Sequence, residues 1–399
     1  MSDAVRSVLT IFMLLVLAGS AFVAGYLAND FLESRQIDFL GRPTTMTDDQ
    51  QFDVFWEAWA RVEENFIGDL PTSQEMTYGA ARGAMSLLND PYTIFIEPVV
   101  RDQERESLQG TFGGIGATLS RPEEGGDVIL EPIPGNPAEA AGILSGDVLL
   151  AVDGETITAD LTVQQVSEMI RGEKGTAVVL TVRHPDETDP TDVEIVRDDI
   201  LIPSVSYRLL DDNIGYIRLT RFSGESSNEI AAALEDLLAQ DAAAFVLDLR
   251  GNGGGLLDAA VDVADHFLPE VPILYQQSKD EGEKLFESTD TTIALEQPLA
   301  VLIDGGTASA SEILAGALQD HERAVLVGSS QSFGKGSVQL VYDLQDGSSV
   351  HVTSARWFTP NRNQIDQQGL QPNILVEITQ EAIDDGRDEV LNQALEQLR

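Results

Sequence analysis

The 399-residue chain contains no cysteine. Disulfides, thiol nucleophiles and zinc–thiolate sites are therefore excluded. Histidine is nearly as scarce: His184, His266, His321 and His351 are the only four, and none stands at a metal-ligand spacing such as HExxH. The sequence gives a metal site no support, and no cofactor is expected. Lysine is equally rare, with only Lys174, Lys279, Lys284 and Lys335. Basic residues as a class number 24 against 67 acidic ones, for a net charge of −43. Nucleic acid is excluded as a partner, because phosphate binding needs a concentrated basic surface. The acidity reads as solubility in a medium where salt screens self-repulsion.

Long hydrophobic runs are absent but for one. Ser7 to Asn29, "SVLTIFMLLVLAGSAFVAGYLAN", carries no charge and is flanked by Arg6 and Asp30. It is long enough to span a bilayer as a helix. Arg6 on the short side puts the bulk of the chain outside the cytoplasm, as a single-pass membrane protein. The small residues of "AGSA" keep a cleaved signal segment, and hence a secreted protein, as the alternative. Residues 1–29 are thus read as anchor or signal segment and 30–46 as a linker. Residues 47–110 form a helical segment, with Phe52, Phe55, Trp56, Trp59, Val62 and Phe66 at helical spacing and expected in a core. A second helical run, "TSQEMTYGAARGAMSLL", ends at "NDPYT", a turn signal.

Beyond that point the texture changes twice. Residues 111–198 hold short strand-like runs ("TFGGIGATLS", "DVILEPI", "DVLLAVDGETI", "TAVVLTVRH") separated by Gly and Pro turns, with two short helices. Residues 199–378 alternate strand and helix and end in a hairpin, "SVQLVYDLQDGSSVHVTSARWF", turning at Gln345-Asp346-Gly347. Residues 379–399 read as a charged C-terminal helix. The fold class is α/β multidomain: an α/β core with added hairpin strands, an inserted segment of short strands with two helices, and an N-terminal helical segment.

The chemistry concentrates in "GGTASASEI", Gly305 to Ile313. An apolar run ends at Asp304, a glycine pair turns the chain, and a helix begins. Ser309 precedes Glu312 by the three residues of a capping box, which makes it the N-cap and Ala310 the first helical residue. The Ala310 N–H then lies where a helix N-terminus favours negative charge. On spacing alone, a capping serine and a nucleophile both fit. A nucleophile needs a base, and each histidine sits in a bland setting. Lys335 differs, lying in "SFGKGSVQ" before an apolar strand; burial could bring its pKa from ~10.4 towards ~7 or 8. Strand spacing puts Lys335, Ser337 and Gln339 on one face. A P-loop does not fit here, because five residues separate Gly328 from Gly334 and Gly336 follows the lysine.

Two resemblances follow from these residues. The loop Gly113-Gly114-Ile115-Gly116, the run "NPAEAAGILSGDVLLAVDG" and the helix before "GEKGTAVVLTV" resemble a PDZ domain, which implies a small β-barrel with two helices. "GGTASASEILAGALQD" followed by "SFGKGSVQ" resembles the carboxyl-terminal processing peptidases, over about residues 50–378. That resemblance implies a serine endopeptidase with Ser309 as nucleophile, Lys335 as general base and Gln339 orienting it. It also implies an oxyanion hole from Gly254, in "DLRGNGGGLL", and Ala310. Gly114, Ile115 and Gly116 would bind a substrate's C-terminal carboxylate through backbone N–H groups. Arg171 resembles a residue coupling the PDZ domain to the protease core, against an exposed helix-end arginine as the plain alternative. Asp320 sits inside the matched motif, and a helix-end acid facing His321 or Arg323 explains it equally well. Implied partners are protein substrates with free C-terminal tails, an activating partner or adaptor, and a second copy of the chain in a homo-oligomer. A non-catalytic PDZ adaptor is the rival function.

Overall fold

The computed structural model describes residues 48–399 apart from Glu124, Asp186 and Asp280, with side chains from Phe52 onward. The apolar Ser7–Asn29 run and the 30–46 linker lie outside the described residues. Among the described residues no helix is long and apolar enough to cross a membrane.

The chain divides into two units, 1–76 and 77–399. Helix Asp48–Asn65 of the first unit forms where the periodicity predicts it. The apolar side chains of this stretch are not core: Phe52, Trp56 and, just past the helix, Phe66 are 67%, 54% and 58% exposed. Within the unit, one amphipathic helix and the start of a second offer no surface able to bury that face.

The second unit is built on a six-stranded sheet in the order Val205–Leu209, Ile214–Leu219, Ala244–Asp248, Leu299–Ile303, Val325–Gly328, Ile374–Leu375. The first pair is antiparallel and every later pair parallel. Side-chain alternation splits the central strands between two faces. Phe245 and Leu247 join the core under helices Ser226–Ala239, Leu257–Asp265 and Ala310–Asp320. Ala244 and Val246 face Val390 and Ala394 of helix Glu389–Gln397. Parallel strands buried on both faces read as continuous apolar runs, which "AFVLD" and "LAVLI" are.

A separate core forms around Leu130, Leu149, Val166, Leu180 and Ile195. Its sheet runs Ala117–Ser120, Val128–Pro132, Asp147–Val152, Ala177–Arg183, Thr191–Val196. Helix Val163–Ile170 packs on it behind a Thr162–Gln165 capping box. The run "TFGGIGATLS" is two strands here, not one. Thr111–Gly114 pairs with Asp198–Leu201, while Ala117–Ser120 pairs with Val128–Pro132. The break falls at Gly116, whose φ of +71° suits glycine and where a Cβ would lie 2.3 Å from Asn136.

A third sheet holds the hairpin Ser337–Asp343 and Ser349–Phe358; the free edge of Ser349–Phe358 is extended by Ile94–Ile96 near its start and by Pro272–Ser278, with Gly282–Glu287 beyond it, near its end. Two helices early in the second unit are stitched to this hairpin, through Tyr78 of Ser73–Ser86 and Arg101 of Pro98–Gln109. The Tyr78 hydroxyl donates to Asp346 at 2.8 Å, and Arg101 donates to Asp343 at 2.8 Å. The C-terminal stretch is two helices, Gln380–Asp384 and Glu389–Gln397, and not the single one expected. Gly386, at φ +66°, breaks it, and Asp388 caps the second helix through Leu391 N–H at 3.0 Å.

Candidate active site

Strands Ala244–Asp248 and Leu299–Ile303 are parallel neighbours, so the loops at their C-terminal ends meet. Sites in open α/β sheets form at such ends. One loop is Gly251–Gly255; the other is the turn before helix Ala310–Asp320. They are tied together at several points. Thr307 Oγ1 donates to the Leu249 carbonyl at 2.9 Å, and Ser311 Oγ donates to the Asn252 carbonyl at 2.9 Å. Asp304 Oδ1 accepts the Gly251 N–H at 2.9 Å. Two of the three clustered hydroxyls are thus wholly buried fasteners.

Ser309 stands apart from them. Its φ of 56° and ψ of −117° put a non-glycine residue in a sparsely populated region, on a sharp strand-to-helix turn. The Glu312 carboxylate accepts its N–H at 2.8 Å, the return half of the capping box. The Glu312 N–H contacts the Ser309 carbonyl at 2.8 Å, so that carbonyl, not the hydroxyl, takes the close cap bond. The half-buried Ser309 side chain lines a cavity of about 300 Å³ with Lys335, Gln339, His351, Glu104 and Trp357.

Glu312 also organises the lysine loop. It accepts Gly334 N–H at 2.7 Å, Lys335 N–H at 2.9 Å and Ser332 Oγ at 2.5 Å. Trp357, at 1% exposure, donates its indole N–H to the Lys335 carbonyl at 3.0 Å. The glycines beside Lys335 answer to close packing: a Cβ on Gly336 would lie 2.7 Å from Asp366 N, and one on Gly334 2.9 Å from Gly369 N. Burial pushes the Lys335 pKa below the ordinary lysine value of 10.5, and the charges of Glu104, Glu312 and Asp90 oppose that shift.

Gln339 reaches the same cavity. Its Nε2 donates to Ser337 Oγ at 2.9 Å and to Thr353 Oγ1 at 3.3 Å. The shared face read from strand spacing is reached differently, because strand Ser337–Asp343 begins after Lys335 and its register shifts between Val338 and Gln339. Gly254 packs on Ser309: a Cβ there would lie 2.9 Å from Ser309 Cβ and 3.0 Å from Ala310 N. The Gly254 N–H, however, donates to Asn252 Oδ1 at 2.9 Å.

The remaining candidates lie away from this cavity. Gly114 ends a strand, Ile115 is buried with its carbonyl accepting Ala138 N–H at 2.8 Å, and Gly116 turns the chain. Arg171 donates to Glu106 at 2.7 Å and lies 4.2 Å from the centre of the Phe112 ring. Glu106 belongs to helix Pro98–Gln109, whose Glu104 and Leu108 line the Ser309 cavity. Asp320 faces neither His321 nor Arg323; it accepts Asn361 N–H at 2.8 Å. His321 instead meets the Pro272 carbonyl, and Arg323 donates to the carbonyls of Ala294 and Gln297. His266 meets Ser227, and His184 meets Asp147. His351 is the histidine that lines the cavity, 3.1 Å from Glu104. Sequence reasoning missed Glu104, His351 and Asn252, and treated Glu312 only as a helix cap. Among the described residues no group of three or more His, Asp or Glu side chains is placed to hold a metal ion.

Comparison with known proteins identifies the family. The family model of Peptidase family S41 matches residues 213–376, and a PDZ domain model matches residues 128–184. The chain is 36% identical over 333 residues to a carboxy-terminal-processing protease of Bartonella bacilliformis, covering 82% of this chain and 75% of that protein. It is 36% identical over 324 residues to a carboxyl-terminal-processing protease of Synechocystis, covering 80% and 75%. A solved structure of a photosystem II D1 C-terminal processing protease aligns at 31% identity and a TM-score of 0.46, covering 83% of this chain and 94% of that one. On sequence identity sustained over most of both partners, the chain belongs to the carboxyl-terminal processing proteases of family S41, serine-type peptidases, and carries a PDZ domain.

Proposed function

We propose that this protease cuts peptide bonds near the C-termini of its substrates with a Ser309–Lys335 dyad, and captures their tails on its PDZ domain. The observation that carries the reading is the shared cavity. Ser309 and Lys335 both line it, and the one Glu312 carboxylate holds the backbone N–H of each. Neutral Lys335 takes the Ser309 hydroxyl proton as Oγ attacks the substrate carbonyl. The oxyanion of the tetrahedral intermediate accepts the Ala310 N–H at the helix N-terminus. Collapse breaks the C–N bond, and the Lys335 ammonium protonates the leaving amine. Water then attacks the acyl-enzyme, giving a proton to Lys335, and Ser309 departs with that proton.

Gln339, with its amide nitrogen engaged by Ser337 and Thr353, orients the lysine through its carbonyl oxygen. Gly254 is the second oxyanion donor once its N–H turns from Asn252. In the PDZ domain, the Gly114–Gly116 backbone takes the substrate's terminal carboxylate. Helix Pro98–Gln109 supports coupling between the two regions, with Glu106 on Arg171 and Glu104 in the cavity.

The test is cleavage of an unstructured peptide with a free apolar C-terminus. Ser309→Ala and Lys335→Ala should each abolish turnover while tail binding persists, which also separates a protease from a PDZ adaptor. The base must be neutral, so kcat/KM should rise with pH through an acid limb lying below 10.5, because burial lowers the Lys335 pKa. Equal cleavage by wild type and Ser309→Ala would refute the dyad.

A further inference from the structure

The turn "NDPYT", Asn89–Thr93, is the place where the N-terminal part of the second unit touches the catalytic lysine. The Lys335 Nζ lies 5.0 Å from the centre of the Tyr92 ring, within cation–π range. The turn is rigidly built. Asp90 accepts the Tyr92 N–H at 3.1 Å and the Thr93 hydroxyl at 2.6 Å. Thr93, only 5% exposed, in turn accepts the Thr353 N–H at 3.1 Å. The Thr353 hydroxyl bridges back, in hydrogen-bond contact with Asp90 and accepting Gln339 Nε2 at 3.3 Å. One short turn therefore reaches both Lys335 and Gln339, the first through a ring and the second through Thr353.

We propose that Tyr92 is a positioning residue for Lys335: its ring face holds the ammonium formed when the lysine takes the Ser309 proton, and the Asp90–Thr93–Thr353 bonds fix that ring in place. The inference rests on the dyad reading given above. A ring quadrupole attracts an ammonium and is nearly indifferent to a neutral amine, so the contact strengthens as the proton arrives. Burial acts the other way, favouring the neutral base. The cavity needs both, a base that is neutral at rest and an acid stable long enough to protonate the leaving amine. Other charges also face the pair. Glu104, Glu312 and Asp90 act on Lys335, and Asp366 with Glu312 and Asp90 on Tyr92. His351 and Arg101 pair with Glu104. None of these changes when only the ring is altered, which makes the contribution of the ring separable.

The experiment replaces the ring electronics at nearly constant shape. Tyr92→Phe and a trifluorinated phenylalanine incorporated at position 92 are compared in kcat/KM against pH, with unfolding temperature as a check that each variant is folded. Phenylalanine keeps the quadrupole, and its acid limb should coincide with that of wild type. Fluorination removes the negative face, so the ammonium loses support and the acid limb should move down by about 0.5–1 pH unit. A residue serving only to pack the turn would lower the rate without moving the limb. A limb that stays put in the fluorinated protein, while Lys335→Ala is inactive, overturns the role of Tyr92 and leaves the dyad standing. An active Lys335→Ala overturns the dyad and this inference together.

Discussion

Glu312 is wholly buried, and its two oxygens accept two donors each: Ser309 N–H and Lys335 N–H on Oε2, Gly334 N–H and the Ser332 hydroxyl on Oε1. A glutamine has one acceptor oxygen. In Glu312→Gln, whichever way the amide turns, two donors lose their acceptor and face an NH₂ group. Unmade buried hydrogen bonds cost about 1–3 kcal/mol each. A resulting shift of about 1 Å between Ser309 and Lys335 is enough for a roughly hundredfold fall in kcat. Ser332→Ala removes one donor to Glu312 and leaves unpaired the Leu370 N–H that its hydroxyl accepts at 2.7 Å, but it keeps the bonds from Ser309 and Lys335, so its effect on kcat should be smaller. Single-turnover rates of the two variants check this, and wild-type kcat in Glu312→Gln would show the clamp to be dispensable. Ser309 and Lys335 could be picked out of the sequence because each is a reactive type in an unusual local frame. Tyr92, Glu104 and His351 could not: they come from a turn, a helix and a strand whose meeting is set by the hairpin sheet, and no local pattern records it.

At the scale of elements, the Gly251–Gly255 loop is tied to the C-terminal helix by one arginine. Arg250 donates to buried Asp248 through Nε and Nη2 at 2.9 and 2.6 Å, and to Asp388 through Nη1 and Nη2 at 2.9 and 2.8 Å. Asp388 is the N-cap of helix Glu389–Gln397, so the pair fastens that helix to the end of strand Ala244–Asp248. In Arg250→Met the Asp248 charge stays buried, supported by the Tyr216 hydroxyl at 2.6 Å and the backbone of residue 250. Breaking a buried pair from one side costs about 3–5 kcal/mol. Asp388→Asn, at a more exposed position, should cost about 1 kcal/mol. Urea unfolding of the two variants measures the ratio, and near-equal small losses would refute the fastening role. The elements themselves were mostly legible, since buried parallel strands and amphipathic helices write their periodicity into the chain. The failures have physical causes. Gly116 and Gly386 break runs that composition alone leaves continuous. The apolar stripe of Asp48–Asn65 has helical period whether or not a partner covers it.

For the whole molecule, the balance of 67 acidic against 24 basic residues dominates. Many arginines are already engaged, among them Arg101, Arg171, Arg250 and Arg399 in salt bridges. The net charge of −43 is therefore carried by carboxylates with no cation to answer them, spread over a surface they make mutually repulsive. Unfolding lets those charges move apart, so repulsion opposes the folded state. Salt weakens it over distances beyond the Debye length, which shrinks from about 30 Å at 0.01 M to about 10 Å at 0.1 M. Exposed salt bridges are weakened too, but each contributes only about 0–1 kcal/mol. Repulsion should win, and the unfolding temperature should climb as sodium chloride is raised from 0.01 to 0.5 M. Potassium and choline chlorides should act alike, because screening depends on ionic strength and not on cation identity. Calorimetric scans of each unfolding transition read this directly. A flat or falling trend would mean that the ion pairs outweigh the excess charge, and a sodium-specific rise would point to a bound cation in place of screening.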